Sequence, residues 1–144
     1  MISAKQEAER LIKAIMPLAE QMLAEYGEFH PYGGAIDNTG EIIHIGAKGS
    51  TDHPPSQELI EMLETAFREG ARKRQYVATA LVCDMKVEPP GLNQKTDAIS
   101  IRIDHFLDYS VEVFFPYEIS NGKVYFGKNF AHTGKGAIFE RHNN

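Results

Sequence analysis

The spacing of apolar positions along the chain switches between a helical and an extended period. From Ser3 to Tyr26, Ala4, Ala8, Leu11, Ile12, Ile15, Ala19, Met22, Leu23 and Tyr26 recur at three- and four-residue steps, which predicts an amphipathic helix. Ser3 and Gln6 make a capping-box pattern at its start, and Gly27 is placed to stop it. Pro17 removes one backbone donor, but the apolar stripe keeps its phase across it, so a kink is expected rather than two helices. Pro31, Gly33 and Gly34 then forbid a helix. Ala35 to Asp37 and Glu41 to Ala47 read as strands joined by Asp37-Asn38-Thr39-Gly40. His53-Pro54-Pro55-Ser56 opens a second helix with a buried stripe of Leu59, Ile60, Leu63, Ala66 and Phe67. Its glutamates come early and Arg68, Arg72, Lys73 and Arg74 come late, which suits the helix dipole.

The stretch Tyr76 to Val87 organises the rest. Val77, Leu81, Cys83, Met85 and Val87 alternate with Ala78, Ala80 and Val82, so both faces are apolar. Such a strand is covered on both sides, and it reads as the central strand beneath helices. Asp97 to Phe106 shows the clearest alternation, with Ile99, Ile101 and Ile103 inward and Ser100, Arg102 and Asp104 outward. Ser110 to Tyr117 follows, then a hairpin signal at Ser120-Asn121-Gly122, then a last strand from Lys123 to Phe130. Residues 131–144 are glycine-rich and polar and read as a flexible tail. The order α-β-β-α-β-β-β-β predicts an α+β fold: a mostly antiparallel meander of about five to six strands, with one or both helices over a single face. At 144 residues the chain is expected to be one domain.

Charge narrows the function classes. The net charge of -5 argues against general nucleic-acid binding, which needs a basic face. No apolar run approaches the ~20 residues of a membrane span, and the charged first residues lack a signal-peptide core, so a cytoplasmic protein is expected. The single cysteine, Cys83, excludes an internal disulfide and reads as a buried small hydrophobe.

Catalytic signatures are weak. The six histidines form no His-x-x-x-His pair, and no second cysteine completes a zinc clamp, so no metal or cofactor is expected. His44 and His105 alternate with apolar neighbours in strands and read as rim residues; His132 and His142 lie in the tail. Gly127 to Gly136 lacks the glycine and the hydroxyl that a phosphate loop requires. There is no Gly-x-Ser-x-Gly elbow. Arg72-Lys73-Arg74 could be a phosphate site, but a solvated helix C-terminus explains it fully. The most distinctive stretch is Glu28 to Gly34, where Phe29, His30 and Tyr32 surround Pro31; it reads as a binding patch or as a packed corner with His30 outside. Asp52 and His53 precede the second helix, whose free N–H groups could hold an anion or simply be capped.

Residues 26–37 (Tyr-Gly-Glu-Phe-His-Pro-Tyr-Gly-Gly-Ala-Ile-Asp), 53–59 (His-Pro-Pro-Ser-Gln-Glu-Leu) and 95–99 (Lys-Thr-Asp-Ala-Ile) resemble segments of a family of small bacterial α+β proteins. The resemblance implies a bacterial cytosolic protein and brings no activity and no assigned residues. The element order is also similar to profilin-like and roadblock-like domains, an analogy of topology alone. The leading expectation is a non-enzymatic binding or protein-interaction module, with a homodimer or an immunity-type partner of a basic toxin as its specific forms. The alternative is a small enzyme or small-molecule-binding domain using Phe29, His30 and Tyr32, with Asp52 or His53 nearby. A third is an accessory subunit that pairs through an edge strand such as Lys123 to Phe130.

Overall fold

The computed structural model describes residues 2–140. It contains α1 (Ala4–Tyr26), β1 (Tyr32–Asp37), β2 (Ile42–Ile45), α2 (Ser56–Arg72), β3 (Tyr76–Val87), β4 (Thr96–His105), β5 (Tyr109–Ser120), β6 (Lys123–Phe126) and β7 (Phe130–Thr133). The strands form one antiparallel sheet in the order β2-β1-β3-β4-β5-β6, with β7 also paired to β5. The α+β class and the α-β-β-α-β-β-β-β order are those expected from the sequence, with β7 as one further strand. No helix among the described residues is long and apolar enough to cross a membrane.

The ends of α1 follow their sequence signals. Ser3 and Gln6 form a reciprocal capping box, and Gly27 ends the helix in the left-handed region at φ 79°. Pro17 sits inside one continuous helix. Two residues further on, the Ala19 N–H donates to Tyr32 Oη at 3.1 Å, and that hydroxyl donates to the Ile15 carbonyl at 2.5 Å. The tyrosine hydroxyl thus stands where a helical N–H to carbonyl bond would otherwise run. It satisfies both groups where a side chain enters the ladder. Burial pushes the Tyr32 hydroxyl well above its ordinary value, so it stays a neutral donor.

The helices lie on opposite faces of the sheet, not over one. α1 packs Leu11, Ile15 and Leu23 onto Ala78, Ala80, Val82, Ile99, Ile101 and Ile103. α2 packs Leu63 and Phe67 onto Leu81 and Cys83. The two apolar faces of β3 therefore both find cover, and single-face cover would have left one of them wet. β1 begins at Tyr32, earlier than its Ala35 start in the sequence reading, because its glycines are wedged between the two layers. A Cβ on Gly33 would lie 2.4 Å from Phe67 Cζ of α2, and one on Gly34 would lie 2.7 Å from Ile15 Cγ2 of α1. Only glycine lets the backbone approach both helices this closely.

The expected last strand, Lys123 to Phe130, is two short strands, β6 and β7. Of the expected tail, Ala131 to Thr133 pair with β5, and Ile138 is 7% exposed against α2. Residues 141–144, with His142, lie outside the described residues. The prolines at 54 and 55 precede α2, with Pro55 at its N-cap, instead of filling its first turn.

Candidate functional site

Helix cover is unequal on the two sides. α1 reaches across β1, β3, β4, β5 and β6, whereas α2 meets β1 and β3. On the α2 side, β4 and β5 therefore present residues that no helix covers. Cross-strand register arranges them in rows: Thr79, Asp104 and Ser110; then Leu81, Arg102, Glu112 and His132; then Cys83, Ser100, Phe114 and Phe130.

Residues 134–138 cross this floor as a strap. Gly134 N donates to the Ser110 carbonyl at 3.0 Å, and Gly136 N donates to Ser110 Oγ at 3.1 Å. Arg68 Nε of α2 donates to the Ala137 carbonyl at 3.3 Å, and Ile138 joins Leu63, Phe67, Leu81 and Cys83 in a small apolar cluster. Between α2, the strand floor and the strap is a cleft of about 260 Å³. Glu64 and Phe67 form one wall, Thr79, Leu81, Arg102 and Glu112 line the floor, and Lys135 and Ile138 close the far side.

The polar groups of the cleft are ordered. Ser100 Oγ donates to Glu112 Oε2 at 2.7 Å, and Arg102 Nε reaches the same oxygen at 3.4 Å. Ser110 Oγ donates to Asp104 Oδ1 at 2.9 Å, and Arg68 pairs with Glu64 at 3.2 Å. Thr79 and Ser100 are each 1% exposed, so the side read as outward from the sequence is a second interior. Phe114 stacks on Phe130 at 4.9 Å, and His132 sits edge-on to both rings. Burial pushes the neighbouring Cys83 thiol up to about 11, so it is protonated at neutral pH and is a poor nucleophile.

The residues singled out from sequence do not meet here. Phe29 and Tyr32 are buried on the α1 side with their rings edge-on at 5.9 Å. His30 is exposed, and Asp52 and His53 are exposed in the loop before α2. None of the five lines the cleft. The Phe29 connection is tied down by Asp84, which accepts its backbone N–H and the Tyr117 hydroxyl, the latter at 2.5 Å. Burial raises the Asp84 carboxyl above its ordinary value despite those two bonds.

His105 corrects the rim reading. It is 2% exposed, its Nδ1 accepts the Leu107 N–H at 3.0 Å, and its Nε2 faces Glu7 Oε1 of α1 at 3.0 Å. His44 is exposed on β2. In the basic cluster, Arg72 and Lys73 both pair with Glu69, at 3.3 and 3.6 Å. Among the described residues no group of three or more histidine, cysteine or carboxylate side chains is arranged to hold a metal.

A second concavity, about 720 Å³, lies between the β3–β4 loop and the β5–β6 hairpin, lined by Pro89, Pro90, Leu92, Tyr117, Tyr125 and Phe126 among others. Leu92 and Tyr125 are each 56% exposed there.

Sequence reasoning missed the cleft because Ser100, Arg102 and Asp104 alternate as a solvent face would. One signal pointed to it: Leu81 and Cys83 of the neighbouring strand demand cover on that same side. No family model matches the chain, and neither a curated protein nor a solved structure does.

Proposed function

We propose that the protein is a non-enzymatic binding module whose ligand site is the cleft beneath the strap. The observation that carries this reading is a hydrogen-bonded polar set, with Ser100 buried and Arg102 and Glu112 partly exposed, beside a space that no helix fills. A sheet face that served folding alone would be apolar beneath a helix, as the α1 side is. Here Thr79, Ser100, Arg102 and Glu112 occupy that position instead, and concave sites with a few placed polar groups are the usual form of small-molecule sites. A fragment screen by saturation-transfer NMR, followed by amide-shift mapping of the hits, tests it. The shifts are expected at Thr79, Arg102, Ser110, Glu112 and residues 134–138. Hits confined to Glu28–Gly34, or none at all, would sink the reading.

A protein-interaction reading has its own support in the other concavity, where Leu92, Tyr125 and Phe126 expose apolar area beside prolines. Contiguous exposed apolar surface is a mark of interaction sites. A homodimer through that groove would appear in sedimentation as a mass that halves on Tyr125→Asp.

A further inference from the structure

We infer that the cleft recognises a small monocarboxylic acid, with the Arg102 guanidinium as its anchor and Phe67, Leu81 and Ile138 around its apolar part. This deepens the reading of the cleft as a ligand site and rests on it. Glu112 Oε2 holds Ser100 and Arg102, Glu64 holds Arg68, and Asp104 holds Ser110. One oxygen of each of these carboxylates is thus engaged by a protein donor. Arg102 is in the opposite condition: only its Nε is used, on Glu112 at 3.4 Å, and its two Nη groups make no hydrogen bond among the described residues. Its side chain is 39% exposed and lines the cleft.

A guanidinium offers its donors as a planar fork that matches the two oxygens of one carboxylate. The surrounding charges favour a single negative charge over a dianion. Arg102 and Lys135 line the cleft, but so do Glu64, Asp104 and Glu112, and a phosphate dianion would face their repulsion. Size sets the remainder of the ligand. At about 30 Å³ per water, 260 Å³ corresponds to about nine waters, close to the bulk of an acid with an aryl or short alkyl group. Phe67, Leu81 and Ile138, each under 10% exposed, form the apolar surface for that group.

The test is calorimetric titration with phenylacetate, phenylacetamide and phenethylamine, three probes of one shape and different charge. Phenylacetate is expected to bind at least tenfold more tightly than the amide, with the amine weakest. Arg102→Met should weaken phenylacetate at least tenfold, and Arg102→Lys, which keeps the charge but loses the fork, should fall between. Thermal melts of both variants should stay near the parent, which separates lost recognition from lost folding. Amide or amine binding as tight as the acid, mapped to the cleft by NMR, would overturn the carboxylate assignment and leave the ligand site standing. Absence of any binding in the cleft would overturn both.

Discussion

Along β4, Ile99, Ile101 and Ile103 are completely buried against α1, while Arg102 between them lines the cleft on the other side and Ser100, on that same side, is buried. The same strand therefore builds a dry core and a polar site within one alternation. The difference lies in what covers each side. α1, with 23 residues, is long enough at about 1.5 Å per residue to cross most of the sheet. α2, with 17 residues, stops over β1 and β3, and the strap of residues 134–138 does the rest. A helix buries a stripe and excludes water; a strap tied by a few hydrogen bonds to Ser110 and the Arg68 side chain leaves space. The contrast separates positions kept for stability from positions kept for binding.

The largest effect that would break this comparison is a truncation on the α1 side. Ile101→Ala, at a fully buried site, is expected to cost about 2–5 kcal/mol in urea unfolding. Arg102→Met, one residue away, is expected to cost less than about 1 kcal/mol, because a partly exposed ion pair contributes little. Equal losses would remove the distinction between the two sides.

Next in size is Tyr32→Phe. Removing the hydroxyl between the Ala19 N–H and the Ile15 carbonyl should cost about 1–3 kcal/mol, the range for leaving buried groups unsatisfied. Faster amide exchange at Ala19 would show that the loss arises in α1. An unchanged unfolding midpoint would mean that the helix closes its own bond once the hydroxyl is gone.

A smaller effect concerns pH. The Asp84 carboxyl, raised above its ordinary value near 3.8 mainly by burial, holds a proton more tightly in the folded chain than in the unfolded one. Its ionisation therefore disfavours folding fully above the folded value, and the penalty fades as pH falls toward 3.8. Asp84→Asn removes it, so stability should vary less with pH as pH rises above 3.8. Asp37 acts in a separate window. The Thr39 hydroxyl is the main cause of its lowered value, so its contribution is present above 3.8 and is lost as pH falls below. Urea midpoints measured across this range check the assignment; an Asp84→Asn profile parallel to the parent would contradict it.

Much of the fold was readable in the residues themselves. The capping box at Ser3 and Gln6, the stop at Gly27 and the isoleucine alternation of β4 are local patterns, and each appears in the structure where the sequence places it. What local pattern could not give was the third dimension. Gly33 and Gly34 read as breakers of helix, yet they are strand residues because Phe67 and Ile15 press on them from opposite sides. His105 alternated like a rim residue but meets Glu7, far away in the chain, beneath α1. Phe29 and Tyr32 read as a patch or as a packed corner, because aromatic residues beside proline suit either, and their depth, with His30 outside, shows the corner. The cleft was hidden for the same reason, since β7, which extends its floor, and the strap that crosses it come from a segment without apolar periodicity.

The most direct measurement is urea unfolding of the triple variant Ser100→Ala, Arg102→Leu, Glu112→Leu, set beside its titration with phenylacetate. It replaces the bonded polar set of the floor with apolar groups, leaving neither partner of the pair behind. If these residues serve binding, the unfolding free energy should stay within about 1 kcal/mol of the parent or rise, while phenylacetate binding disappears. A loss of about 3 kcal/mol or more, comparable to the Ile101→Ala core truncation, would show that the polar floor holds the fold together and would contradict the account.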